Sequence, residues 1–460
     1  MRASLTGAVS FPATLNDRAA SAGAARSRAL WSKLWQFDPA VAVVIGTRCL
    51  GIVVGVISSI ITARYLQPAG RGEYFVVLTA AQLMAQFGNL GLHSSNTYFV
   101  ARDRGLFAGL LANSLWISFG LVPLCAAGFL LLAPAGLMGS MGPTGRLFVI
   151  VLAPLMVFNV LGGGLMVGVN KVTTFGFMQP LNATLIMMAM IVAGLLHTGP
   201  TGFLAATVAG WAAALAVMVW LLVRDANGRF RFQRDVFGLT FGYSLKAYLA
   251  TLAGFLVLRM NVFTLHAMSG VEQVGYYSVA SQIADTLSIL PQSTALVLFP
   301  RLAACRSGQL KTMMRHAVRT GGLLAFGCAA VWLFADFGIR VAFGAKFAAA
   351  APVLRAMLPG VLLLGVMGIV SQYLAANAFP APVVVAWLAA VALTGVLGRV
   401  LVGQYGAVGA AATLSVVYGV LLLALGVLCW RVAKAEAVVP NEGSTAKGAK
   451  DAKTSGARVD

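Results

Sequence analysis

The sequence predicts an all-α polytopic membrane protein with about twelve transmembrane helices, in two parallel six-helix lobes around a central cavity. Of its 460 residues, 59% are hydrophobic and only 10% are charged, and the mean hydropathy is +0.87. Soluble domains carry about 25% charged residues, so this composition is typical of a chain buried in lipid. Apolar runs near the ~20 residues that cross a bilayer recur without the alternation of barrel strands, which predicts helical spans.

The apolar runs divide the chain into two predicted halves with polar segments around them. An Arg-, Ala- and Ser-rich tail (1–40) lacks an apolar core long enough for a signal peptide. A basic linker (224–240) separates the first half (41–223) from the second (241–431), and a polar tail (432–460) follows; we expect both tails to be disordered. The predicted spans are 41–64, 74–101, 108–133, 147–169, 175–197, 202–223, 241–268, 274–302, 318–339, 353–375, 381–402 and 407–430.

Lysine and arginine concentrate in the loops at one end of the predicted bundle, which sets its orientation. Cytoplasmic loops are enriched in these residues, so we predict that both termini are cytoplasmic. Arg64 and Arg71 then flank the outer end of span 1, where we expect solvated loop charges. This topology accounts for the net charge of +20, and we predict no nucleic-acid partner.

The two halves match each other at a nearly constant offset, which predicts an internal repeat. Gly72-Glu73-Tyr74 corresponds to Gly275-Tyr276-Tyr277, 203 residues later. Six spans in each copy give both copies the same orientation, and parallel halves with interrupted helices are typical of transporters whose substrate site lies between the halves. Helix-weakening residues at matched depths are predicted hinges: Gly88 and Pro291, and Pro154 and Pro359.

Away from the span ends, four charged residues lie inside predicted spans 1, 7 and 8, where a charge is costly. A charge at the bilayer centre costs between about 2.5 and more than about 10 kcal/mol. Arg48 and Lys246 are close enough to the interface to snorkel, whereas Arg259 and Asp285 are deeper. Two interpretations stay open: an Arg259–Asp285 ion pair that only fixes helix packing, and a polar cavity for a charged substrate.

Two stretches carry a resemblance to a known family. ITARYLQPAGRGEYFVVLTAAQLMAQFGNLGL (61–92) resembles the first signature of the oligosaccharide flippases of polysaccharide biosynthesis. GVEQVGYYSVASQIADTLSILPQSTALVLFPRLA (270–303) is similar to their second signature. These Wzx-type transporters belong to the multidrug/oligosaccharidyl-lipid/polysaccharide exporter (MOP) superfamily. Relatives often carry Arg-x-Asp where this chain has Arg259-Met260-Asn261, so Arg259 has one neutralising neighbour fewer.

The resemblance implies a flippase of the bacterial inner membrane. It would move undecaprenyl-pyrophosphate-linked oligosaccharides to the periplasmic leaflet for O-antigen, capsule or exopolysaccharide synthesis. Its partners would be membrane lipids and the polysaccharide polymerase and chain-length machinery. An ion-coupled multidrug antiporter is the nearest alternative, but cationic drugs would need buried carboxylates and the interior is mostly cationic. A membrane polymerase or ligase is disfavoured because the outer loops are too short for a catalytic domain.

The flippase interpretation gives each polar residue in the spans a predicted role. Arg48, Lys246 and Arg259 would form a ladder for the pyrophosphate, because the planar arginine fork can donate two hydrogen bonds to phosphate oxygens. Asp285 would offset these cations or carry a coupling proton. We predict no catalytic residue, metal site or cofactor. Two amides of span 2 would bind glycan hydroxyls or, equally well, neighbouring helices: Gln82 and Asn89.

Overall fold

A computed structural model of the chain describes residues 39–132, 142–226, 232–304, 309–377 and 381–438. Nearly all of these residues are helical, and none of them forms a strand. Most of both predicted tails lies outside the described residues. The prediction of an all-α membrane protein is confirmed.

Twelve α-helices follow one another in the described part of the chain, although they do not correspond one for one to the twelve spans. Short 3₁₀ turns (Arg104–Leu106 and Ala345–Phe347) and one π-helical segment (Ile117–Leu121) connect some of them. The helices are α1 (Pro39–Asn89), α2 (Leu92–Arg102), α3 (Phe107–Trp116), α4 (Val122–Leu132), α5 (Pro143–Gly168), α6 (Val172–Leu195), α7 (Gly199–Asp225), α8 (Arg234–Leu287), α9 (Ile289–Ala304), α10 (Gln309–Ala342), α11 (Ala350–Ala376) and α12 (Ala381–Val438).

Three of these helices are too long for one crossing, and each contains a sharp break. α1, α8 and α12 have 51, 54 and 58 residues. Straight helices of that length would measure about 75–87 Å, more than twice the hydrocarbon thickness. Their backbones leave the helical region at Gln67, Gly270 and Gly406. Nine described helices are long and apolar enough to span a membrane. Counting these three as two spans each is compatible with the twelve predicted.

The breaks define the spans used below. Span 1 is α1 before Gln67, and span 2 is the rest of α1 continued by α2. Span 7 is α8 before Gly270, and span 8 is the rest of α8 continued by α9. The end of the bundle that carries Arg102 and Arg224 is called the basic end, and it is predicted to face the cytoplasm. The breaks lie at the other end, which we call the opposite end.

The backbone repeats at the offset that the sequence motifs predict. Gln67 has φ 58° and ψ 176°, and Gly270, 203 residues later, has φ 83° and ψ 174°. A positive φ is unusual for glutamine, and the Gln67 side chain stabilises the turn by donating to the Arg64 carbonyl oxygen at 2.9 Å. The same unusual conformation therefore turns the chain between the first two spans of each copy.

The two lobes meet mainly through α1 and α8, while the other helices pack largely within their own half. α8 begins at Arg234, inside the predicted linker. Asn113 of α3 holds this start, donating to the Gln233 carbonyl oxygen at 3.0 Å and accepting from the Gln233 N–H at 2.8 Å. The linker thus ends as a helix docked on the first lobe.

Interruptions lie next to two of the predicted hinges. Two residues after Gly88, Leu90 and Gly91 have φ values of 49° and 72° and separate α1 from α2. Three residues before Pro291, Ser288 separates α8 from α9. Movement at these positions stays a prediction.

The other two predicted hinges, Pro154 and Pro359, lie inside α5 and α11. Beside Pro359, Ser415 of α12 inserts its hydroxyl into the helix ladder. Its Oγ donates to the Ala356 carbonyl oxygen at 2.7 Å and accepts from the Gly360 N–H at 2.9 Å. An inserted side chain is a known cause of local helix bending.

Candidate functional site

Spans 2 and 7 run antiparallel along one seam between the lobes. Near the basic end, Ser95 Oγ donates to the Thr240 carbonyl oxygen at 2.8 Å. Further along, the Tyr248 hydroxyl donates to the Phe87 carbonyl oxygen at 3.0 Å, next to the Leu90–Gly91 interruption. Because an interruption leaves helical carbonyls without their usual partners, a side chain of the second lobe satisfies one of them here.

The predicted ligand Arg259 lies at this seam and is paired with Asp285. Its Nη2 donates to Asp285 Oδ2 at 3.0 Å, and its Nη1 donates to Ser281 Oγ at 3.2 Å. The guanidinium carbon lies 6.0 Å from the centre of the Phe75 ring, which belongs to span 2 of the other lobe. The ion pair that the sequence left as one of two interpretations is therefore present.

This pair is unevenly buried and incompletely satisfied. The Arg259 side chain is 13% exposed, whereas the Asp285 side chain is 41% exposed. Arg259 Nε is buried and has no hydrogen-bond partner among the described residues. Asp285 lies fifteen residues past the Gly270 break, about 22 Å along the helix, which places it within the ~30 Å length of a span. The carboxylate is thus the accessible member of the pair.

Asn261, two residues after Arg259, packs against another helix of its own lobe. It is fully buried, and its Nδ2 donates to the Ala410 carbonyl oxygen of α12 at 3.2 Å. Its Oδ1 has no partner among the described residues. Asn261 therefore joins spans within the lobe, and Asp285 is the carboxylate that contacts Arg259.

The remaining predicted ligands are not gathered around Arg259 by any described contact. Arg48 is exposed on span 1, and Gln82 is half-buried on span 2. The side chain of Lys246 lies outside the described part of the structure. Asn89 is buried, with its amide nitrogen 3.1 Å from His93 Nδ1, so it contributes to a polar cluster beside the span 2 interruption.

Arg71 is the residue whose environment the sequence misjudged. It is 5% exposed instead of being a solvated loop charge. Its guanidinium donates to Thr62 Oγ1 at 2.7 Å and to the hydroxyl (2.8 Å) and carbonyl oxygens of Ser59 in span 1. It also donates to Ser278 Oγ at 2.7 Å and lies over the Phe343 ring of the second lobe. Arg71 thus connects the lobes at the opposite end.

Two glycines at the repeat motif bring the lobes into backbone contact beside Arg71. A Cβ placed on Gly72 would lie 1.8 Å from the carbonyl oxygen of Val271. A Cβ placed on Gly275 would lie 2.0 Å from the carbonyl oxygen of Pro68. The two contacts are related by the 203-residue repeat, and neither leaves room for a side chain. The motif found in the sequence is therefore a reciprocal contact between the two copies of the repeat.

Span 1 exposes several large apolar side chains, as expected for a helix that contacts lipid. Leu50, Val53 and Ile57 of span 1 are 53%, 54% and 42% exposed. Past Asp285, α9 packs on α10 and α11 of its own lobe. At the Arg259–Asp285 pair, the carboxylate is the more exposed member, so a polar group that reaches the pair would meet Asp285 first.

Comparisons with known proteins agree with this architecture. Residues 147–352, which include the second signature, match a family described as "Polysaccharide biosynthesis protein". No curated protein matches the chain. The predicted resemblance to proteins of polysaccharide biosynthesis is confirmed by this match.

Three solved structures share the fold over most of their length. The lipid II flippase MurJ, in an inward closed conformation, superposes with a TM-score of 0.64 at 15% identity, over 83% of this chain and 86% of that chain. An inward-facing MATE family multidrug resistance transporter of the MOP superfamily gives 0.69 at 16% identity, over 85% and 96%. A MOP superfamily transporter from Pyrococcus furiosus, reported with a binding pocket of reversed polarity, gives 0.60 at 17% identity, over 88% and 98%.

Proposed function

From the premise that this multi-pass membrane protein has the fold of the MOP-superfamily transporters, we propose that it is a flippase for lipid-linked oligosaccharides. Its substrate is an undecaprenyl-pyrophosphate-linked repeat unit, moved from the cytoplasmic to the periplasmic leaflet of the bacterial inner membrane. Both termini face the cytoplasm, and the flipped units pass to the polymerase and chain-length machinery of a polysaccharide pathway.

The observation that carries this proposal is the Arg259–Asp285 pair within spans 7 and 8, with its partly exposed carboxylate. A lipid-linked substrate has a charged pyrophosphate that must cross the hydrocarbon and a lipid tail that stays in it. A site reached from the side, between spans 1 and 8, lets the tail remain among the lipids. The match to a polysaccharide-biosynthesis family supports the sugar part of the substrate.

Arg259 binds the pyrophosphate by exchanging partners. The guanidinium in its present position donates to Asp285 and Ser281, and Nε is unused. A pyrophosphate takes the place of Asp285 on Arg259, because two phosphate oxygens match the arginine fork better than one carboxylate oxygen does. Asp285 is then free to take up a proton or to accept a glycan hydroxyl. Arg48 and Lys246 assist on the basic side of the site.

The lobes then alternate between two arrangements. In the described arrangement the opposite end is held by Arg71 and by the Gly72 and Gly275 contacts. Separation of these contacts, with closure of the span 1–span 8 seam at the basic end, delivers the substrate to the other leaflet. Both lobes move as parallel halves around the site between them.

A second candidate, a multidrug antiporter, is favoured by one observation, the half-exposed Asp285 carboxylate. A cationic drug or a coupling proton would use this carboxylate. The two functions differ in which member of the pair is indispensable: Arg259 for an anionic pyrophosphate and Asp285 for a cation. If Asp285→Asn leaves transport and its pH dependence unchanged at normal protein abundance, the antiporter assignment and a proton-coupling role for Asp285 are both excluded.

The proposal is tested by deleting the gene and analysing the lipid-linked intermediates in intact spheroplasts. We expect complete repeat units to accumulate and to be protected from a membrane-impermeant glycosidase, since they remain on the cytoplasmic side. Complementation with the wild-type chain or with Arg399→Ala should expose them. Arg399 is a suitable control because it is an exposed arginine of another span.

The alternatives predict different results in the same experiment. Accumulated units that the glycosidase cleaves in the deletion strain have already been flipped, and this result would assign the protein to polymerisation or ligation. A normal pool of units, with changed resistance to cationic drugs, would assign it to drug transport.

A further inference from the structure

The first three turns of α10 carry an exposed basic surface that the proposed transport function does not use, and the rest of the helix shows where this surface lies relative to the membrane. From Val318 to Val341 this helix exposes a stripe of large apolar side chains, which are between 50% and 74% exposed at Val318, Leu323, Phe326, Trp332, Leu333, Phe334, Phe337 and Val341. These 24 residues rise about 36 Å, close to the thickness of the hydrocarbon core. The stripe therefore places the first turns of α10 at the level of the lipid headgroups.

Three cations stand one turn apart at this level. Lys311, Arg315 and Arg319 are all exposed, and they follow the i, i+4 spacing that puts side chains on one helix face. Exposed apolar side chains accompany them on the same open surface: Leu310, Met314 and Val318. We call these six residues the basic face of α10. A surface with cations and apolar groups side by side fits an amphipathic ligand.

The charges of the basic face are not neutralised by the described protein. No ion pair among the described residues includes Lys311, Arg315 or Arg319. The sequence has no aspartate or glutamate between Asp285 and Asp336. Three neighbouring cations repel one another, so an anion held between them is favoured.

Exposed tryptophans on other helices also indicate that this end of the bundle lies at the level of the lipid headgroups. At the ends of α7 and α12, Arg224 lies 5.7 Å from the Trp220 ring, and Lys434 lies 5.3 Å from the Trp430 ring. Both tryptophans are exposed, at 59% and 62%. Tryptophan next to a basic residue is typical of a membrane–water interface. The basic end therefore meets the headgroups at several helices.

We propose that the basic face of α10 is a binding site for anionic phospholipids of the surrounding bilayer. The headgroup phosphate is held between Lys311, Arg315 and Arg319, and the upper acyl chains lie on Met314 and Val318. The site lies on the outer surface of the second lobe, away from Arg259, and does not depend on the proposed substrate. Zwitterionic lipids bind there more weakly, because their headgroups carry no net charge.

The test compares lipid retention by three purified full-length proteins. Wild type, the triple variant Lys311→Gln/Arg315→Gln/Arg319→Gln, and a control triple variant, Arg102→Gln/Arg104→Gln/Arg234→Gln, are titrated with phosphatidylglycerol and phosphatidylcholine of identical chains. Native mass spectrometry counts the retained lipids. The control removes the same number of exposed charges from the same end.

We expect wild type and control to bind phosphatidylglycerol more tightly than phosphatidylcholine. In the α10 variant, the ratio of the two affinities should fall by roughly a hundredfold, because each of the three basic residues near an anionic surface contributes about fivefold. Substituting lysine for Arg315 and Arg319 should preserve it, which separates lost charge from misfolding. An equal loss in the control would show unspecific attraction and overturn the site. Competition by soluble glycerol phosphate at millimolar concentration would likewise overturn it, because the ligand would then be a free anion.

Discussion

Two arginines, Arg71 and Arg259, are both held at the interface between the lobes, yet their surroundings differ. Arg71 is almost completely buried and donates to three hydroxyl groups and one carbonyl, and no described ion pair includes it. Arg259 is paired with a half-exposed carboxylate and keeps one donor unused. Every guanidinium nitrogen of Arg71 has a protein partner, whereas Arg259 Nε has none among the described residues.

This difference indicates which arginine connects the lobes and which one is available to a ligand. Removing a partner from a buried guanidinium whose nitrogens are all hydrogen-bonded destabilises the fold, because a buried charge is left without compensation. A guanidinium with an unused donor and an exchangeable partner can accept an anion. We therefore expect substitutions of Arg71 to change stability and conformation, and substitutions of Arg259 to change transport.

The largest effect is expected for Arg259→Ala, which removes the proposed phosphate ligand. Transport should fall by about a hundredfold or more, equivalent to the loss of a strong charge-assisted pair of about 3 kcal/mol. Arg259→Lys keeps the charge without the two-pronged geometry and should retain partial transport. The measurement is export of polymer per molecule of inserted protein.

Abundance separates a ligand from a structural pair in this experiment. Full export by Arg259→Ala at wild-type abundance would refute a substrate role. Export that is lost only because Arg259→Ala fails to accumulate would show that the pair with Asp285 serves packing.

Arg71→Met should have the next largest effect, and this effect should be on the stability of the folded protein. The substitution keeps the length of the side chain but leaves the hydroxyls of Ser59, Thr62 and Ser278 without their donor. We expect a loss of about 3 kcal/mol, seen as a lower unfolding temperature in detergent. The matched variant Arg259→Met should unfold close to the wild-type temperature. Equal destabilisation by the two variants would remove the distinction between the sites.

Gly275→Ala tests the backbone contact beside Arg71 and should have an intermediate effect. A methyl group has no room 2.0 Å from the Pro68 carbonyl oxygen, so the lobes must separate at the opposite end. Spin labels at Glu73→Cys and Glu272→Cys, in a chain without its native cysteines, should report a longer distance between the lobes. Gly55→Ala is the control, because nothing lies within 4 Å of its Cβ position. Unchanged distances in Gly275→Ala would mean that this contact does not hold the lobes together.

The smallest effect is expected away from both arginines, at the hydroxyl inserted beside Pro359. Ser415→Ala removes one hydrogen bond to Ala356 and one from Gly360, which should cost about 1 kcal/mol and a few degrees of unfolding temperature. Transport should stay near the wild-type level. A loss of transport approaching that expected for Arg259→Ala would instead make this contact part of the moving machinery.

The sequence by itself determined the class of fold, because hydrophobicity and span length act locally. It also located the repeat: the Gly72 and Gly275 motifs were visible at their 203-residue offset, and the positive φ values of Gln67 and Gly270 recur at the same offset. It singled out Arg259 and Asp285, since any charge within an apolar run is conspicuous. It did not determine whether they touch.

Only the tertiary structure decided the surroundings of these charges. Arg259 and Asp285 lie on opposite sides of the Gly270 break, and their 3.0 Å contact depends on how that break folds the two spans together. Arg71 looked like a loop charge because it lies next to a turn motif, while its partner Ser278 is 207 residues away on the other lobe. Local sequence carries no sign of such a partner. The free energy of a buried charge depends on which groups surround it, and distant segments supply those groups.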